Sequence, residues 1–366
     1  FFLDSLVSLL QMLGLSWQTD SLDIILPVGI SFYTFQTLSY SLDIYYRRLE
    51  PTRDILAFFT FVAFFPQLVA GPVERASHLL PQFLRKELPI PEIGKGLAQM
   101  LQGFFKKLVI ADALAPWVNS AYADPGQWSA WVMLLATIGF ALQIYADFSG
   151  YSDIAIGCAR LFGIELRTNF RRPYLAASLQ EFWTRWHISL STWFRDYVYI
   201  PLGGNRGRTA FWMRNIAITF LVSGLWHGAN WTFVVWGALH GAGYLIESRF
   251  NLPNPLGWIW TLGVVLLGWV FFRAESINQA FEVLSVFRSQ PELGGITVWY
   301  SKAEWLVPLW IMLISLAGWL AIEGMREMRK AEPDFDWALW QYYGLLIWIL
   351  VAGAFGQPQA FIYFQF

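Results

Sequence analysis

Residues 211–248 read FWMRNIAITFLVSGLWHGANWTFVVWGALHGAGYLIES, one apolar stretch with two charged residues, Arg214 and Glu247. A membrane-spanning helix needs about 20 mostly apolar residues, so this stretch is long enough for two, 211–227 and 230–248. They are separated at His227-Gly228-Ala229-Asn230. Non-helical backbone at membrane depth is tolerated only where it is buried in protein or lines a cavity. An ionisable group at that depth is costly and marks a functional site. The same few residues therefore predict an all-α integral membrane protein and a place to look for its chemistry.

Outward from this break the pattern repeats. Further spans are predicted at about 22–46, 53–71, 94–114, 128–150, 257–273, 304–323 and 340–357. About nine spanning helices then form one membrane domain over residues 1–366. The pair Lys106 and Lys107 makes 94–114 impure and predicts that it lies at the membrane interface. The chain opens in an apolar stretch, Phe1 to Leu15, with neither a charged leader nor a cleavage site. That reads as the remainder of a longer chain rather than a signal peptide.

Composition agrees. Of 366 residues, 56% are hydrophobic and 14% charged, against roughly 25% charged in soluble domains. A net charge of −1 gives no basic footprint for nucleic acid. The single cysteine, Cys158, permits no internal disulfide and reads as a small buried residue. Residues 159–214 hold nine arginines against Glu165, Glu181 and Asp196. Basic loops stay cytoplasmic, which places this segment, and the loop with Arg47, Arg48 and Arg53, on the cytoplasmic side.

Residues 180–197 are too polar to span and too aromatic to float free. At helical spacing Gln180, Thr184, His187, Ser191 and Arg195 share one face. Trp183, Trp186, Leu190, Trp193 and Tyr197 make an apolar one. The spacing predicts an amphipathic helix in the membrane surface, with His187 at its middle facing a cavity or water. His227 is the second candidate, since a neutral imidazole takes a proton from a hydroxyl or thiol at neutral pH. A structural histidine between helices explains His227 about as well on spacing alone. His240 reads as helix packing, and His78 as a loop residue without a catalytic role. Asp147 and Asp153, at the end of an apolar helix, are expected to orient a histidine or pair with an arginine, unless they are plain helix-end polarity with an ion pair. Gly203-Gly204-Asn205-Arg206-Gly207 reads as a turn. Histidines 40 positions apart, with no Cys or carboxylate at ligand spacing, make no metal site.

The run Tyr145 to Asp153, then Asn169-Phe170, Pro173-Tyr174, Glu181 to Ser191, Phe194 to Gly204 and Leu225-Trp226-His227-Gly228 resembles the membrane-bound O-acyltransferases. The bacterial branch that O-acetylates alginate or D-alanylates teichoic acid is the nearer match, the alginate type above all. The C-terminal Phe361 to Phe366 resembles that branch as well. The resemblance covers essentially the whole chain and is most specific over 145–230. It implies a multi-pass protein of the bacterial cytoplasmic membrane, whose helices enclose a tunnel floored by amphipathic and re-entrant segments. It makes His227 the essential histidine and His187 the second one of the active site. Asp147, Asp153, Ser191, Trp226 and Asn230 take supporting roles.

The reaction implied is acyl transfer from a cytoplasmic thioester, with acetyl-CoA as the donor. Arg195 and Arg206 would meet its phosphates. His227 acts as base, and His187 steadies an oxyanion or the thioester carbonyl. The acceptor is an extracytoplasmic polysaccharide, usually reached through periplasmic partner proteins. Three alternatives stand beside it. One is D-alanyl transfer from an acyl carrier protein by the same fold. Another is a transporter, which would show paired broken helices. The last is a non-catalytic subunit of an export complex.

Overall fold

The computed structural model describes residues 29–366 except 69–70, 86–89, 229, 251, 290–294, 296–298, 300–307, 357–358, 360 and 363–366, together with Val7, Leu10, Gln11 and Gly14. Most of the opening apolar stretch, the start of the expected span 22–46, the start of 304–323 and the last four residues therefore lie outside the described residues. What is described is helical.

The helices run in chain order as α1 (Ile30–Tyr45), α2 (Ile55–Ala63), α3 (Phe65–Leu68), α4 (Ala76–Phe83), α5 (Ile93–Phe104), α6 (Asp112–Ala123), α7 (Ala130–Leu161), α8 (Leu179–Arg185), α9 (Ile188–Phe194), α10 (Thr209–His227), α11 (Trp231–Glu247), α12 (Asn254–Arg273), α13 (Ile277–Ser289), α14 (Leu309–Met328) and α15 (Leu339–Ala352). Among the described residues, α7, α12 and α14 are long and apolar enough to cross a membrane, and α15 is a shorter apolar helix. The expected nine spans are not reached on that criterion. Residues 53–71 divide into α2 and α3, with Phe64 extended between them. Residues 94–114 pass through a π-helical turn, Phe105–Ala111, that seats the lysine pair.

The central element is α7. Its 32 residues run well past the expected end at 150, so Asp147 and Asp153 lie inside a helix rather than at its tip. It packs antiparallel on α5 through facing glycines. A Cβ on Gly103 would fall 2.5 Å from the carbonyl oxygen of Gly150, and one on Gly96 2.7 Å from that of Gly157. Small residues let two backbones approach this closely. Gly103→Leu should therefore force α5 off α7 and lower stability by at least about 2 kcal/mol, read as a lower unfolding temperature in detergent.

Close contact of α5 with α7 brings the π-helical turn against α7's carboxylates. Lys107 Nζ lies 2.8 Å from Asp147 and 2.8 Å from Asp112. Lys106 Nζ lies 2.7 Å from Asp153, which also accepts from Gln99 Nε2 at 3.2 Å. Of the readings open for Asp147 and Asp153, the structure selects ion pairing, and the partners are lysines. Both lysines are buried within the protein. The Lys107 cluster also holds the C-terminal segment: Ile362 N donates to Asp147 at 2.7 Å and Lys107 to the Gln359 carbonyl at 3.2 Å. Phe361 then packs on Phe148 and Tyr151. Cys158 is partly exposed rather than buried.

Candidate active site

His227 ends α10. Gly228 follows in extended conformation, and Asn230 caps α11, its side chain accepting from Thr232 N at 3.1 Å. Gly228 is needed because a Cβ there would strike the Phe233 ring at 2.5 Å. The helix break expected at 227–230 is present. Its polar residue Asn230 spends its side chain on the cap and on the Glu275 carbonyl, 2.8 Å away.

Residues 180–197 depart from expectation. They do not form one helix. Ser178 caps α8 by accepting from Glu181 N at 3.0 Å, and Glu181 reaches back to Ala177 N at 2.7 Å, a reciprocal cap. The helix then stops at Arg185, and His187 stands in the left-handed region at φ 43°, ψ 53°, before α9 begins. The single polar face drawn through Gln180, Thr184, His187, Ser191 and Arg195 is therefore interrupted. His187 faces neither water nor lipid: it is 1% exposed, with Phe148 4.6 Å away edge-on and Phe170 and Phe32 stacked at 6.2 and 6.5 Å. A left-handed non-glycine residue costs about 1–2 kcal/mol, so its surroundings must impose that geometry. They do so through Asn169. Its carbonyl accepts from Ile188 N at 2.9 Å, and its side-chain oxygen lies 3.2 Å from His187 Nδ1.

The break at His187 meets the break at His227. Both histidines line one cavity of about 90 Å³, with Trp183, Ser191, Thr219 and Ser223 among its other walls. Trp226 lies beside both, its ring centre 4.8 Å from His227 and 6.5 Å from His187. Ser191 is turned to the Trp186 carbonyl at 3.0 Å. Behind His187 is a polar chamber of about 210 Å³ whose walls include Asn169, Ser152, Asp153, Arg171, Arg172 and Glu323. The Asn169–His187 pair stands between the two spaces.

The arginines are less available than the sequence implies. Arg172 and Arg185 each lie 2.8 Å from Glu327, at the end of α14. Arg195 pairs with Asp196 at 2.7 Å, and Asp196 also receives Arg75. Burial raises the Asp196 carboxyl, but hydrogen bonds from Arg195 and Arg75 outweigh it and hold the pKa below the ordinary value. Arg195 and Arg206 are exposed and line neither space. The Gly203–Gly207 turn is present, with Gly203, Gly204 and Gly207 all at positive φ.

His78 lies on α4 rather than in a loop, 2.8 Å from buried Glu74. His240 is fully buried among Phe182, Trp183 and Trp236. Neither lines the cavity, so His240→Ala and His78→Ala should retain most activity per folded protein in a transfer assay. Sequence reasoning missed Asn169 as a site residue, and nothing in the spacing between positions 169 and 187 marks the contact. It also missed the Lys107 cluster, although a buried lysine pair in an apolar segment needs carboxylate partners, and α7 holds them.

Residues 47–262 match the family model for MBOAT, the membrane-bound O-acyltransferases. A relative from Azotobacter vinelandii named "probable alginate O-acetylase" is 43% identical over 85% of this chain and 62% of its own length. A peptidoglycan O-acetyltransferase from Helicobacter pylori is 36% identical over 80% of this chain and 62% of its own. A teichoic acid D-alanyltransferase from Streptococcus thermophilus is 29% identical over 61% of this chain and 57% of its own. The chain spans about three-fifths of the length of these curated relatives.

Proposed function

The chain belongs to the membrane-bound O-acyltransferase family, and from that premise we propose that it moves an acetyl group from a cytoplasmic thioester, acetyl-CoA, toward hydroxyls of an extracytoplasmic polysaccharide such as alginate or another cell-envelope glycan. The observation that carries this reading is the shared cavity of His187 and His227. Two imidazoles on one small space, amid aromatic walls, are placed to take up and return a proton without water crowding in. The acceptor oxygen attacks the thioester carbonyl while His227 takes its proton. The carbon–sulfur bond then breaks, and the proton is passed to the departing thiolate. His187 faces the same space as His227 and acts beside it on the reacting groups. Asp147, Asp153 and Asn230 support the site through the scaffold, by the ion pairs and cap described above. Trp226 supports it more directly, its ring packed beside both imidazoles.

Arg195 and Arg206 remain the proposed contacts for donor phosphates, as exposed cations on the face taken as cytoplasmic. Periplasmic partner proteins would carry the acyl group onward, and the bacterial cytoplasmic membrane is the proposed location. A second reading, D-alanyl transfer from a carrier protein, is favoured by the similarity to the Streptococcus thermophilus protein.

The experiment supplies labelled acetyl-CoA to membranes containing the full-length protein and its genomic partners, and follows label into polymer. Incorporation supports the acetyl reading. Incorporation only from D-alanyl carrier protein moves the chain to the second reading. Incorporation from neither donor removes both.

A further inference from the structure

We propose that Asn169 is the positioning residue that fixes the tautomer of His187 and makes it a proton acceptor at Nε2. This rests on the acyl-transfer reading above and narrows what the second histidine does in it.

The argument starts from a group that can only donate. The main-chain N–H of Ser189 lies 3.2 Å from Asn169 Oδ1. An N–H pointing at an amide requires oxygen there, so the side chain of Asn169 has one orientation. Ser189 Oγ gives its hydrogen to the same oxygen at 2.8 Å, and accepts from Val73 N at 2.9 Å. The amide nitrogen faces Ser152 Oγ at 3.2 Å. His187 Nδ1 then meets Oδ1 at 3.2 Å. Two lone pairs would repel at that distance, and Ser189 Oγ, the other polar atom near Nδ1, stands farther off at 3.5 Å with its hydrogen directed to Oδ1, so Nδ1 carries the hydrogen. In the neutral ring Nε2 therefore holds the lone pair.

Asn169, Ser152 and Ser189 are 1, 2 and 4% exposed, so these bonds are made largely out of bulk solvent. The main-chain carbonyl of Asn169 also holds Ile188 N at 2.9 Å. One residue thus sets both the left-handed backbone at His187 and the chemistry of its ring. The consequence corrects an expectation. A neutral His187 has no hydrogen at Nε2 to offer an oxyanion. It enters the reaction by taking a proton from a hydroxyl or thiol, and can donate at Nε2 only after that. The imidazolium so formed keeps its Nδ1–H on Asn169.

The test uses the full-length protein in membranes and the transfer assay above, run across pH for wild type, Asn169→Asp and Asn169→Leu. Aspartate keeps the acceptor but sets a carboxylate against Nδ1–H, which favours the imidazolium. The acid limb of the pH–rate profile should move up by about one unit or more, with turnover near wild type at high pH. Leucine removes the acceptor, and kcat should fall about 100-fold with the donor KM within a few-fold.

An unmoved acid limb in Asn169→Asp overturns the proposal, as does an equal loss in both variants at every pH, which is what a purely structural role gives. No transfer by wild type from acetyl-CoA or from D-alanyl carrier protein overturns the functional reading, and this inference with it.

Discussion

His227→Ala should lower label transfer into polymer about 10²–10⁴-fold, the range removed with a general base, while the protein remains folded in the membrane. The geometry separates these two effects. His227 is the last residue of α10, and its ring lies against Trp226 at 4.8 Å, Trp236 at 4.9 Å and Phe272 at 5.2 Å, beside the cavity. Shortening the side chain enlarges an existing space instead of opening one in solid core. The turn after it is held by Gly228 and the Asn230 cap, which the substitution leaves in place. The measurement is label per milligram of polymer at matched membrane expression. Equal incorporation by wild type and variant would remove His227 from the chemistry and favour a non-catalytic subunit.

Lys107→Met should destabilise the protein by about 3–5 kcal/mol, the cost of breaking a buried ion pair from one side. Lys107 is 9% exposed, and Asp112 and Asp147 are 4 and 2% exposed. Without the ammonium, two carboxylates face each other in a space that hydrates neither. Asp147 also accepts from Ile362 N at 2.7 Å, so the loss spreads to the C-terminal segment. Phe361 sits 5.5 Å from Phe148, which itself lies against His187. Activity should therefore fall with stability. Thermal unfolding in detergent reads the first effect. Adding Asp112→Asn and Asp147→Asn should recover much of it, because replacing a whole buried ionic group costs far less than orphaning part of it. If the triple variant is no more stable than the single one, the lysine matters for its packing and not for its charge.

The two histidines are legible in the sequence because each carries a local cost. An imidazole in an apolar run and a tryptophan-rich segment too polar to span both stand out against a membrane background. The helix break at 227–230 is legible for the same reason, since Gly228 and Asn230 are turn and cap residues whatever surrounds them. The single amphipathic helix over 180–197 is a misreading. Period alone continues through His187, where hydrogen bonds accepted by Asn169 hold the break. Of the nine expected spans, three described helices meet the length and composition needed to cross a membrane, because Phe64 and the π-helical turn at the lysine pair end or distort helices where hydropathy alone runs on.

The sequence by itself determined the helical class and the family and singled out the two histidines, all of which follow from local composition and from motifs within a few residues of each other. The tertiary structure alone decided that the histidines share one cavity, that Asp147 and Asp153 answer lysines, and that Asn169 sets His187. Each of these is a contact between segments far apart in the chain. A buried charge or imidazole must find a partner, but its sequence states only the need, and the packing of α5 on α7 and of α9 beside α10 supplies the answer.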